Sequence, residues 1–235
     1  MRQIVSELVL VMLVCGGTAF ASAKNPPAAS TFAPARDLAS QVDEYVKQLK
    51  KTTADKEDYE NNKEKIVRDA SILAVIALAL GVHDEENEYK NVASKLVEAC
   101  QKTVDSKDYD SAKAGVEAIQ KAMTAKVENP PAMKWARVAR LKDLMESISL
   151  VNTKLKRFTK GKRLQLKAKK TTGYTSVIAA VAQASRDSVK ETIAPNLDKE
   201  WRMHCDQMRN AAAKTNKAIL TGEIHKFKPA MAELQ

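Results

Sequence analysis

The sequence predicts an all-α fold of about eight helices, arranged as two tandem antiparallel four-helix units. Three observations lead there. Apolar residues recur at three- and four-residue spacing through most of the chain, the period of one helix face. The 235 residues include only seven Gly and seven Pro, and aromatics make up 5%, a composition that suits helices better than a sheet. The order and type of the helical segments in the first half then return in the second.

Residues 1–23, MRQIVSELVLVMLVCGGTAFASA, read as a secretory signal. Arg2 supplies the charged start, Leu8 to Val14 the apolar segment, and Ala21-Ser22-Ala23 a small-residue cleavage site. The apolar run is too short to span a bilayer comfortably, and no other segment is long and apolar enough to cross a membrane. The expected product is periplasmic or secreted, cut near Ala23, and not transmembrane. Residues 24–36 are rich in Pro, Ala and Ser and read as a disordered linker.

The first unit covers 37–126. Leu38, Val42, Tyr45, Val46 and Leu49 line one face of its first helix. A second helix, from about Tyr59 to Leu80, has the centre ILAVIALAL, apolar on every side, as a helix buried inside a bundle must be. Gly81 ends it. The acids of VHDEENEY suit the positive end of a third helix, from about Glu86 to Val104, and a fourth runs from about Tyr109 to Ala125. Pro130-Pro131, within a Pro-rich linker at 127–134, marks the clearest internal boundary.

The second unit covers 135–235 and repeats the pattern. LASQVDEYVKQLKK from Leu38 aligns with LMESISLVNTKLKR from Leu144. SILAVIALA from Ser71 aligns with SVIAAVAQA from Ser176, and AKAGVEAIQ from Ala112 with FKPAMAELQ from Phe227. This reads as an internal duplication. Two four-helix bundles and one larger array of eight helices both satisfy it.

Phosphate loops, zinc spacings, nucleophile elbows and paired metal histidines do not occur, so no enzyme is expected. His83 with Asp84, Glu85, Glu86 and Glu88 reads as a helix N-terminus carrying its usual acids rather than a cation site. His204 stands between Met203 and Cys205. Successive helical residues point about 100° apart, so the three cannot share a metal. Cys15 leaves with the signal. Cys100 and Cys205 remain, as buried small apolar residues or as one bridge.

The formal net charge is +10, and it is concentrated. Lys154, Lys156, Arg157, Lys160, Lys162, Arg163, Lys167, Lys169 and Lys170 lie in KLKRFTKGKRLQLKAKK. Cations this close repel one another, so an anionic partner would relieve strain. An anionic lipid surface, an acidic polymer and an acidic protein all qualify. A specific nucleic-acid site does not, because Phe158 is the only aromatic available for stacking. A homodimer through helix faces is compatible with such a bundle.

The segment EWRMHCDQMRNAAAKTNKAILTGE, residues 200–223, resembles the penultimate helix of secreted bacterial proteins related to cytochrome c′, a four-helix-bundle family. The matching positions are Trp201, Cys205, Met208, Arg209, Asn210, Ala211, Ala212, Asn216, Ala218, Ile219 and Gly222. The resemblance implies a bundle with an ancestral role in electron transfer or haem binding. In that family the next helix carries Cys-x-x-Cys-His, whose thiols bind the haem vinyls and whose histidine ligates iron. Here that helix begins near Glu223 and reads EIHKFKPAMAELQ, without the motif. Two expectations follow: a haem-less relative with no cofactor, or a longer chain whose motif lies beyond residue 235. Non-covalent haem would draw on His204 or His225 with a methionine, and nothing in the sequence selects them. The resemblance thus implies an exported, non-enzymatic helical-bundle protein.

Overall fold

The computed structural model describes residues 26–158, 164 and 167–234. The signal-peptide reading of 1–23, and Lys160, Lys162 and Arg163 of the basic cluster, lie outside them. The chain is all-helical, with eight α-helices and no strand among the described residues: α1 (Ala35–Thr52), α2 (Lys56–Gly81), α3 (Ala93–Val104), α4 (Tyr109–Met123), α5 (Leu141–Phe158), α6 (Ala168–Ala184), α7 (Asp198–Leu220) and α8 (Ile224–Leu234).

Local chemistry sets several of these ends. The Asp55 carboxylate accepts the Asp58 N–H at 2.8 Å, so α2 begins at Lys56, three residues before the apolar pattern suggests. Asp108 and Ser111 form a reciprocal capping box on α4. The end of α7 is released by Gly222, whose φ of 69° is the left-handed conformation that glycine adopts without strain.

The third helix differs from expectation. It starts at Ala93, not Glu86. The Asn87 side chain donates back to Leu80 O at 3.0 Å and accepts the Tyr89 N–H at 3.1 Å. These bonds hold 82–92 as a compact turn, the competition with helix that asparagine usually offers.

Residues 24–36 also depart from the linker reading over the part described. Ala29–Thr31 form a short 3-10 turn. Ala29, Phe32 and Ala33 are buried, and α1 itself begins at Ala35. Composition suggested disorder because Pro, Ala and Ser dominate. Phe32 overrides it by burying a large ring against Trp135, at a centroid distance of 6.1 Å. The chain just beyond the Pro-rich stretch is pinned as well: Gln101 donates to Val138 O at 3.2 Å, and Glu191 accepts the N–H of Leu141, the first residue of α5, at 3.0 Å.

Consecutive helices pack on each other within each half, and one hydrophobic core contains residues of both halves. The join is reciprocal: α1 packs on α6, α2 packs on α5, and α2 meets α6. Residues Ala70 to Leu80 of α2 are buried without interruption, because α1, α3, α4, α5 and α6 all contact this helix. No described helix is long and apolar enough to cross a membrane. Small residues permit the closest approaches. A Cβ at Gly115 would lie 3.0 Å from Thr103 Cα, so α3 and α4 meet almost backbone to backbone.

Candidate functional site

Most residues of the resembling segment sit on α7; Gly222 follows its end, and Asn210 is exposed. Cys205, Arg209, Ala211, Ala212, Asn216, Ala218 and Ile219 are buried, and Trp201 and Met208 are half-buried. This is the face that α7 turns toward the rest of the bundle. The short alanines let α6 approach closely, and the two polar residues in the stripe find partners across it.

Asn216 is the first of these. Its Nδ2 lies 3.0 Å from Asp37 Oδ2, Thr172 O and Ser176 Oγ, and 3.1 Å from Thr175 Oγ1. One amide therefore joins α1, α6 and α7. Asp37 is 3% exposed, so this contact accompanies a buried carboxylate, which needs such partners to stay in the interior. Arg209 is the second. Its guanidinium donates to Gln183 Oε1 and to Asp206 Oδ1 at 2.7 Å, and it lies 5.6 Å from the Phe32 ring centroid. Burial lowers its pKa from the ordinary arginine value, and the facing Asp206 opposes that shift. Arg186 pairs with the same Asp206 at 3.0 Å. Trp201 Nε1 donates to Ser185 O at 2.8 Å. Sequence reading identified these positions by likeness and missed their partners. The available signal was Arg209 and Asn216 on a largely apolar helical face.

The histidines divide. His83 is buried, with Nε2 3.0 Å from Ala33 O and Nδ1 accepting the Glu85 N–H at 3.1 Å. Asp84 turns to Ser30, not to the neighbouring acids. His204 is exposed and meets Gln207 Oε1 at 3.2 Å. Among the described residues no group of three or more His, Cys, Asp or Glu is placed to hold a metal ion.

The two cysteines are free and buried. Burial pushes both thiols up, Cys205 to about 12. Neither stands in a haem-attachment motif. His83 has both ring nitrogens engaged, and His204 is committed to a neighbouring side chain. The side chain of His225 lies outside those described.

The described residues of the basic cluster lie at the end of α5 and the start of α6. Lys154 is half-buried, with Nζ 5.9 Å from the Tyr174 ring centroid. Lys156, Arg157, Lys167, Lys169 and Lys170 are exposed. Lys169 also borders a cleft with Arg36, Asp43, Glu86 and Glu88, so part of its field falls on acids of α1 and the 82–92 turn.

The chain matches no protein-family model, no curated protein and no solved structure.

Proposed function

We propose that this chain is an exported, non-enzymatic helical-bundle protein of cytochrome c′-like ancestry, duplicated from a four-helix unit, whose described residues form the scaffold and hold no covalent haem. One observation supports this most. Most of the α7 positions that resemble the family are engaged in packing, in buried hydrogen bonds to α1 and α6, and in a guanidinium contact with the Phe32 ring, as a supporting helix requires. The reciprocal packing of α1 on α6 and α2 on α5 is what a joined pair of repeated units would give. The test is to express the full chain with c-type maturation machinery and supplied haem, then record the visible spectrum. The expected result is no Soret absorbance surviving extraction in acidified organic solvent. A retained band would overturn the haem-free reading, and the mass of the exported product checks cleavage near Ala23.

A second reading is supported by the charge distribution. Arg157, Lys167, Lys169 and Lys170 are exposed around the α5–α6 connection, and the 154–170 window contains no acid. In this reading the face binds an anionic lipid surface, an acidic polymer or an acidic protein. Such binding weakens as salt shortens the screening length, which is about 10 Å at 0.1 M. Retention on phosphatidylglycerol vesicles and on polyphosphate is expected to fall as salt rises. A variant with those four cations changed to Gln is expected to bind severalfold less. Equal binding by both proteins would remove this reading.

A further inference from the structure

We propose that the cleft lined jointly by α1, the 82–92 turn and the start of α6 binds a small zwitterion, a molecule joining a primary ammonium to a carboxylate or phosphate. The cleft holds about 390 Å³, a volume within the range of small-ligand sites. From α1 it is lined by Ala35, Ala39 and Ser40, at the spacing of one helix face. Lys169, the second residue of α6, lines it from the other half of the chain. Small side chains leave the room. In the alignment of Leu38 with Leu144, Ala39 stands where the second half has Met145, and Ser40 where it has Glu146.

The charges that border this space are not spent on each other. Arg36 and Lys169 are exposed, and neither has an ion-pair partner among the described residues. Glu88 likewise has none, and Asp43 accepts only the Tyr89 hydroxyl, at 3.4 Å. Glu86 is committed to Lys90 at 2.7 Å. The acids share one end of the cleft. Burial, then the charges of Asp43 and Glu88, push the Tyr89 hydroxyl up, so both carboxylates stand close to it. Arg36 and Asp43 are seven residues apart on α1, about 10 Å along the helix axis and on the same face.

This arrangement selects the ligand. A simple anion would meet the acids, and a simple cation would meet Arg36 and Lys169. A molecule carrying both charges satisfies both ends. Arg36 offers a planar fork of N–H donors, suited to a carboxylate or phosphate. Ionised Asp43 and Glu88 only accept hydrogen bonds, so they suit a primary ammonium. The described lining includes no aromatic ring, so a quaternary ammonium would lack the cage that recognises it. The two-turn separation on α1 favours charges several atoms apart over those of an α-amino acid. Lys169 also belongs to the basic cluster, but Arg36, Asp43 and Glu88 do not, so this site stands apart from the anion-binding reading.

The test is amide NMR of the full chain titrated with γ-aminobutyrate and with phosphoethanolamine, beside ethanolamine and inorganic phosphate as single-charge probes. The signals of Ala39, Ser40 and Asn87 are expected to shift saturably with at least one zwitterion, at a concentration about fivefold or more below that needed with either single-charge probe. Arg36→Gln and Glu88→Gln are each expected to weaken binding about two- to fivefold, the worth of one exposed ion pair. Ala39→Met gives α1 the residue of the second half and is expected to fill the cleft and abolish the shift. It keeps every cation, so its retention on phosphatidylglycerol vesicles is expected to match the wild type, which separates this site from the basic cluster. Vesicles containing phosphatidylethanolamine tell the sources apart: binding that Ala39→Met abolishes assigns a lipid headgroup, and shifts with the soluble zwitterions alone assign a free molecule. No saturable shift with either zwitterion, equal shifts with the single-charge probes, or undiminished binding by Ala39→Met or by both charge variants would overturn the proposal.

Discussion

Asn216→Leu is expected to destabilise the chain by about 3–5 kcal/mol, although it adds no large cavity. Leucine approximates asparagine in shape and suits an α7 face already lined by Ala212 and Ile219. The cost comes from what is left behind. Asn216 Nδ2 sits 3.0 Å from the Asp37 carboxylate in the interior, and its removal leaves that charge facing methyl groups. Thr172 O, Thr175 Oγ1 and Ser176 Oγ lose the same donor. The hydroxyls of Thr175 and Ser176 can turn to other partners, but the carboxylate of a buried helical residue cannot. Urea unfolding followed by circular dichroism gives the size of the loss. The cause is checked by Asp37→Leu with Asn216→Leu, which removes both partners together and is expected to recover more than half of it. A single variant within about 1 kcal/mol of wild type would mean that Asp37 is satisfied elsewhere.

The same contact shows where sequence reading stopped. The helix periods of α1 and the all-round apolar centre of α2 were legible because burial imposes them on consecutive residues. Leu38, Val42 and Leu49 announce one inward face, and Ile72 to Leu80 announce a helix with no outward face. Partners separated by 179 positions, such as Asp37 and Asn216, leave no local pattern. Each reads alone as an ordinary helical polar residue. The ordered segment 26–34 was hidden for another reason. Its prolines and alanines carry the composition of a linker, and one aromatic residue, Phe32, decides otherwise by finding Trp135 and Arg209. Asn87 moved the start of α3 by a side-chain bond that no hydrophobic period records. The density of the basic cluster was plain from composition. What it meets depends on charges brought from α1 and the 82–92 turn, which only the folded arrangement places beside Lys169.

Ile76→Ala tests the other large element of the fold, the enclosure of α2. The expected loss is about 4 kcal/mol, toward the upper end of the range for buried aliphatic truncations. That range is wide because the cost depends on how far neighbours relax into the space. Ile76 is fully buried on a helix touched by α1, α3, α4, α5 and α6. Any one neighbour that moved inward would break its packing with others in the same core. Leu38, also fully buried, makes a useful comparison. Its helix α1 has exposed residues along the opposite face, so α1 can settle inward at less expense. Leu38→Ala is therefore expected to cost about 1 kcal/mol less than Ile76→Ala, even though the two side chains contain the same number of carbons. Denaturant midpoints with unchanged slopes would measure both losses on one scale. Equal losses, or a larger one at Leu38, would show that α2 is not the rigid centre around which the two halves pack.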